Sequence, residues 1–210
     1  MSAAASIADA AGIIRGRDLI EAGSNGSRGE WCLESVIGRV VELSGGASSA
    51  VLTAAAELVL RAQERGCLAA WVHGTASTVY PSDLVNTGID LAALPFIVAT
   101  DSIKALRGTD MLMRSEAFAL VVVELPRGKR VPLSIQTRFV GLAKTYGTGL
   151  IFITRDNHQS EYPLASLRAV TSKTRRSPGV FSWHVHAVKD KRNTPDWHHE
   201  EYRCGTDGLS

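Results

Sequence analysis

The chain has 210 residues, of which 45% are hydrophobic and 21% charged, enough apolar material for one substantial core in a single α/β domain with short tails. Cys32, Cys67 and Cys204 are far apart, odd in number and without a CxxC pair, which argues against a disulfide framework or a zinc site. The net charge of +2 hides an asymmetry: residues 1–126 carry 9 basic and 14 acidic side chains, residues 127–210 carry 14 basic and 7 acidic.

From the N-terminus, residues 4–22 read as a short amphipathic helix, and "GSNGSRGE" after it reads as a flexible joint. No basic region precedes an apolar run there, and no later stretch of eighteen apolar residues follows, so a soluble, cytoplasmic chain without a membrane span is expected. Ordered structure is expected from Trp31. The strands "RVVEL", "CLAAWV", "FIVAT", "FALVVVEL" and "GLIFIT" alternate with helices over Ser48–Arg65, Pro81–Thr87, Ser102–Met113 and Val131–Tyr146. Unbroken β-branched runs separated by amphipathic helices predict parallel strands covered on both faces, with right-handed crossovers. Beyond Leu167, "LRAVTS", "VFSWHVHAVKD" and "EEYRCGT" predict an antiparallel extension at one edge of the sheet.

The strand–glycine turn–helix stretch "GRVVELSGGASSAVLTAAAELVLRAQERG" has the outline of a phosphate-binding loop. Such a loop, GxxxxGK[ST], needs glycine backbone around the phosphates, a lysine for their charge and a hydroxyl for Mg²⁺. Gly45 takes the first position and Gly46, Ser48 and Ser49 follow, but Ala50, Val51 and Leu52 stand where glycine, lysine and Ser/Thr belong. A missing charge-assisted hydrogen bond costs roughly 1.5–3 kcal/mol, and several are missing together, so neither ATP binding nor hydrolysis is expected. Ser48 and Ser49 lack a neighbouring base and fit a helix N-cap.

The order of these blocks resembles the RecA family over about Trp31–Leu209. "GRVVELSGGASS" is similar to its Walker region and "GCLAAWVH" to its second core strand. "FALVVVEL" is similar to its Walker B strand, "LSIQTRFVGLAKTYGTGLIFITR" to the helix and strand before its second DNA-binding loop, and "HVHAVKDKRNTP" to its closing hairpin. The resemblance implies a RecA-like core, a mostly parallel sheet flanked by helices with an antiparallel C-terminal extension. It puts Glu124 at the Walker B aspartate, Thr75 at the catalytic glutamate and Arg155 at the γ-phosphate-sensing glutamine. Those departures imply a member without an ATPase cycle, of the type of ImuA and SulA and more similar to ImuA. ImuA-type proteins work beside ImuB, a Y-family polymerase homologue, in damage-induced translesion synthesis, and SulA-type proteins bind FtsZ. The implied partners are RecA and an ImuB-type protein, with FtsZ as the alternative.

Three basic groups stand out: Arg127, Lys129 and Arg130; Lys173, Arg175 and Arg176; and Lys189, Lys191 and Arg192. The last two flank one expected hairpin, so they are candidates for a single patch that holds single-stranded DNA weakly through its phosphates, with Trp183 or Trp197 stacking if exposed. The same charges also fit wet hairpin ends. Ile7, Ile13, Ile14, Leu19 and Ile20 give the N-terminal segment apolar anchors for a partner, for a second copy of the chain, or for its own domain. His184 and His186, two apart on an expected strand and near His198, His199 and Cys204, fit hydrogen-bonded strand histidines better than ligands, so no metal is expected.

Overall fold

The computed structural model describes residues 12–21, 29–46, 49–74, 79–126, 131–154 and 160–204. A short helix α1 (Gly16–Glu21) and a single turn α2 (Leu33–Val36) precede the first strand, β1 (Val40–Gly45). The chain then alternates through α3 (Val51–Glu64), β2 (Leu68–Gly74), α4 (Pro81–Leu84), β3 (Phe96–Ala99), α5 (Ser102–Arg114), β4 (Phe118–Glu124), α6 (Leu133–Tyr146) and β5 (Gly149–Thr154). Three consecutive strands complete it: β6 (Leu167–Ser177), β7 (Val180–Asp190) and β8 (His198–Cys204).

All eight strands form one sheet in the order β3-β2-β4-β5-β1-β6-β7-β8. β1 lies between β5 and β6 and is parallel to both, with Val40 opposite Leu150 and Val41 opposite Leu167. β7 runs antiparallel to β6, and β8 antiparallel to β7. The fold is therefore α/β, a mostly parallel core with antiparallel C-terminal strands.

Side-chain alternation divides the core into two layers. Val41, Leu43, Leu120, Val122, Ile151, Ile153, Trp183 and Val185 face α2 and α3 on one side. Val40, Val121, Val123, Leu150 and Phe152 face α5 and α6 on the other. Strands buried on both faces read as continuous apolar runs, which is why β4 and β5 show no polar alternation in the sequence, whereas β1 buries the polar residues Glu42 and Ser44 at alternate positions. Among the described residues no helix is long and apolar enough to cross a membrane.

Several boundaries differ from the sequence reading for local reasons. The helix expected from Ser48 begins at Val51, with Ala50 at its N-cap and no side-chain cap. Pro81–Thr87 is not one helix: after Leu84 it tightens into a 3₁₀ turn, Val85–Thr87, that ends on Gly88 at φ +89°. β6 runs on to Ser177, because pairing with β7 continues past the apolar residues that signal a strand. The four-residue α2 and the 3₁₀ turn Leu91–Ala93 are too short to leave a periodic pattern.

Candidate functional site

The candidate site is the turn from β1 into α3, at the carboxyl ends of the central strands, where open α/β sheets place their ligands. Gly45 is required there by packing. A Cβ on it would lie 2.2 Å from Ser49 Cβ and 2.7 Å from Thr171 Oγ1. Protein atoms thus crowd the position at which a phosphate loop opens. Gly46 follows and is exposed, and Ser48 lies outside the described residues.

The entry to α3, Ala50 to Leu52, is apolar. Ala50 is 1% exposed, Val51 is 7% exposed in the core layer beneath the helix, and Leu52 packs against that layer. The Ala54 amide already donates to the Ala50 carbonyl at 2.8 Å. Ser49 is not the cap expected of it: the N-cap falls one residue later, on Ala50, which carries no acceptor. Val51 supplies no cation, and burying an ammonium on that inward-facing side chain would carry a desolvation penalty.

Glu124, the acidic residue expected in the Walker B position, ends β4, is 5% exposed and by alternation shares the α3 face with Leu120 and Val122. It is register-paired with His73 of β2. Thr75 and Arg155, the other two positions that the resemblance singled out, lie outside the described residues, as do Arg127, Lys129, Arg130 and Ile7.

The sequence reading passed over three hydroxyls under the turn. Ser44 Oγ donates to the Ala169 carbonyl and Thr171 Oγ1 to the Ser44 carbonyl, each at 3.3 Å. Thr154 Oγ1, at the end of β5 opposite Ser44, is buried without a hydrogen-bond partner. Hydroxyls inside otherwise apolar strands were the available signal. On the α6 face of β1, fully buried Glu42 accepts from Ser160 Oγ at 2.5 Å and from the Glu161 amide at 2.7 Å, with Arg168 Nε 3.6 Å away. That carboxylate fixes Ser160 and Glu161 to the central strand.

The basic groups do not combine. Lys173, Arg175 and Arg176 lie near the β6–β7 tip, whereas Lys189, Lys191 and Arg192 lie at the opposite end of the ribbon. Eight residues of strand separate Phe181, opposite Arg175, from Lys189, roughly 27 Å at strand rise. Lys189 Nζ donates to the Pro163 carbonyl at 3.0 Å and Arg192 Nη2 to that of Gly38 at 3.4 Å, so both are tied into the fold. At the tip, Lys173 lies over the Phe181 ring at 4.1 Å and Arg176 pairs with Glu200 at 3.0 Å. Trp183 is 1% exposed and closed to stacking, and half-buried Trp197 donates its indole N–H to Asp190 at 3.1 Å.

The described part of the N-terminal segment packs on its own domain. Ile14 bridges to Cys67, and its amide donates to the Gly66 carbonyl at 3.2 Å. Gly16 lies so close to Gly147 that a Cβ on it would be 2.2 Å from the Gly147 oxygen. Leu19 packs against the core, Ile13 is half-buried, and Ile14 and Ile20 remain 40% and 50% exposed.

The histidines separate by face. His199 turns toward Trp183 on the α3 side, its ring 5.4 Å from the indole. His184 on the other face meets Ser182 and Glu200, each at 3.2 Å. His186 stacks on His198, with centroids 4.2 Å apart. No known protein family's model matches this chain, and no curated protein matches it.

Proposed function

We propose that the chain is a RecA-like domain without an ATPase cycle, which serves as a scaffold in the SOS response and in translesion synthesis. RecA and an ImuB-type protein are its partners. The segments that resemble RecA lie on core elements of the sheet and its helices, the Walker-like stretch on β1 and α3 and the Walker B-like stretch on β4. The observation that carries the non-catalytic reading is Val51, 7% exposed at the point where a phosphate loop presents its lysine.

A scaffold needs surfaces in place of a reaction centre. β3 ends the sheet, its outer side unpaired among the described residues, and Val98 on it is 60% exposed. On α5, which packs against β3, Ile103 and Met111 are 63% and 73% exposed. An open strand edge beside exposed apolar side chains suits strand addition or helix docking by another protein. Lys173 and Arg175 at the hairpin tip are the described residues best placed for a weak phosphate contact.

The test is to add the chain to RecA on single-stranded DNA, measure filament length, and capture partners from damage-treated cells with the chain as bait. Shortened or capped filaments together with recovery of RecA or an ImuB-type protein are expected. Unchanged filaments at saturating chain, with neither protein recovered, overturn the proposal.

A further inference from the structure

The face of β6, β7 and β8 that points away from α3 carries a side-chain cluster unrelated to the β1–α3 turn. His186 of β7 and His198 of β8 are directly opposite in the antiparallel register. Opposed residues on one sheet face hold their Cβ atoms about 4.5–5.5 Å apart. The sheet therefore keeps the two imidazoles together, and their rings stack at 4.2 Å with 12° between planes.

Asp196 enters this pair from the turn before β8. Its φ of +72° is in the left-handed region that side-chain-bearing residues seldom occupy. The turn is held by two reciprocal bonds, from the Asp196 amide to the Ala187 carbonyl at 2.7 Å and from the Ala187 amide to the Trp197 carbonyl at 3.0 Å. This conformation brings Asp196 Oδ1 to 2.6 Å from His186 Nε2. One ligand atom from each of the three residues lies within 4.8 Å of the others.

We propose that His186, Asp196 and His198 bind a divalent transition-metal ion of the zinc class. Two imidazoles and one carboxylate form a borderline donor set that suits Zn²⁺, Co²⁺ or Ni²⁺, whereas Ca²⁺ and Mg²⁺ favour all-oxygen shells. Three protein ligands leave a fourth, tetrahedral position for water. Asp196 and His198 are exposed and His186 half-buried, so an ion reaches the cluster from solvent and keeps a water ligand. Zinc bonds of about 2.0–2.2 Å require ligand atoms roughly 3.3–3.6 Å apart, so binding requires the two stacked rings to turn out of parallel and Asp196 Oδ1 to draw back from His186 Nε2. The proton between His186 and Asp196 gives way to the ion on binding. The bound ion would tie the edge strand β8 and the turn before it to β7.

The experiment is isothermal titration of the full chain, stripped with EDTA and then freed of it, with zinc chloride, alongside Co²⁺ absorption and thermal melts. One equivalent of Zn²⁺, a tetrahedral Co²⁺ band and a raised Tm with metal are expected. His198→Ala and Asp196→Asn should each weaken binding about tenfold or more, while His184→Gln, on the same face but outside the cluster, should leave it unchanged. Asn tolerates the left-handed turn, so the Asp196 variant reads ligand loss even if a histidine variant fails to fold. No binding tighter than about 1 mM, equal binding by Asp196→Asn and wild type, or loss of binding in His184→Gln would each overturn the assignment.

Discussion

Arg39, at the entrance to β1, donates through Nη2 to Asp190 Oδ1, at the end of β7, across 2.5 Å in a site where their side chains are 2% and 0% exposed. Arg39 also donates to Ser166 Oγ and to the Ser35 and Ser166 carbonyls. Asp190 accepts from the Arg192 and Asn193 amides, the Asn193 side chain and the Trp197 indole. The pair bolts the antiparallel extension to the central strand, and both charges are hydrogen-bonded on several sides, the condition under which a buried ion pair is tolerated.

Removing either partner strands the other charge. Asp190→Asn and Arg39→Met are each expected to destabilise the fold by about 3–5 kcal/mol in urea denaturation. Burial works against the Asp190 carboxylate, but the Arg192 amide, Arg39 and Trp197 outweigh it and hold the group below its ordinary pKa. Its stabilisation is therefore complete above the unfolded value, near pH 4, and is lost as pH falls through the lower folded value. Melts of the wild type across that window should fall more steeply with acid than those of Asp190→Asn.

Gly45→Ala tests the crowding of the β1–α3 turn. The added methyl would meet Ser49 Cβ at 2.2 Å and Thr171 Oγ1 at 2.7 Å. Overpacking of this kind costs about 1–3 kcal/mol, read as a lower urea midpoint with an unchanged slope.

Gly16→Val tests the docking of α1. Gly16 and Gly147 meet backbone to backbone, and Gly147, at φ +71°, ends α6. A valine at Gly16 should lift α1 off the domain, so that trypsin cuts at Arg15 and Arg17 well before it cuts the core. Cleavage at the wild-type rate would contradict the packing account.

Lys173→Glu with Arg175→Glu tests the proposed DNA contact at the hairpin tip. Wild-type binding to an oligonucleotide should weaken steeply with salt, and the double variant should lower the slope of log K against log salt by roughly 0.7 for each phosphate it no longer neutralises. A variant that binds as well as wild type would remove the tip from any DNA-facing surface.

The core was legible where burial on both faces makes apolar runs, as "GLIFIT" became β5 without adjustment and "VFSWHVHAVKD" became β7. The missing lysine was legible too, since Val51 is a statement about residue type. What stayed hidden depends on partners distant in the chain. Arg39 and Asp190 are 151 residues apart and look like ordinary surface charges until the sheet closes. Glu57, on α3, is buried and pairs with Arg203 of β8 and with Arg61, yet in sequence it is one more polar position on an amphipathic helix. The two basic groups beside the hairpin misled because flanking one hairpin in sequence means opposite ends in space when the strands are eleven residues long. Strand spacing puts His184 and His186 on one face, and only the cross-strand register sets His186 directly opposite His198.

The most direct test of the central claim is calorimetric titration of the full chain with Mg-ATP. Gly45 hemmed in by Ser49 and Thr171, with Val51 packed inward, predicts no binding tighter than about 1 mM and no phosphate release. Micromolar affinity accompanied by turnover would contradict it.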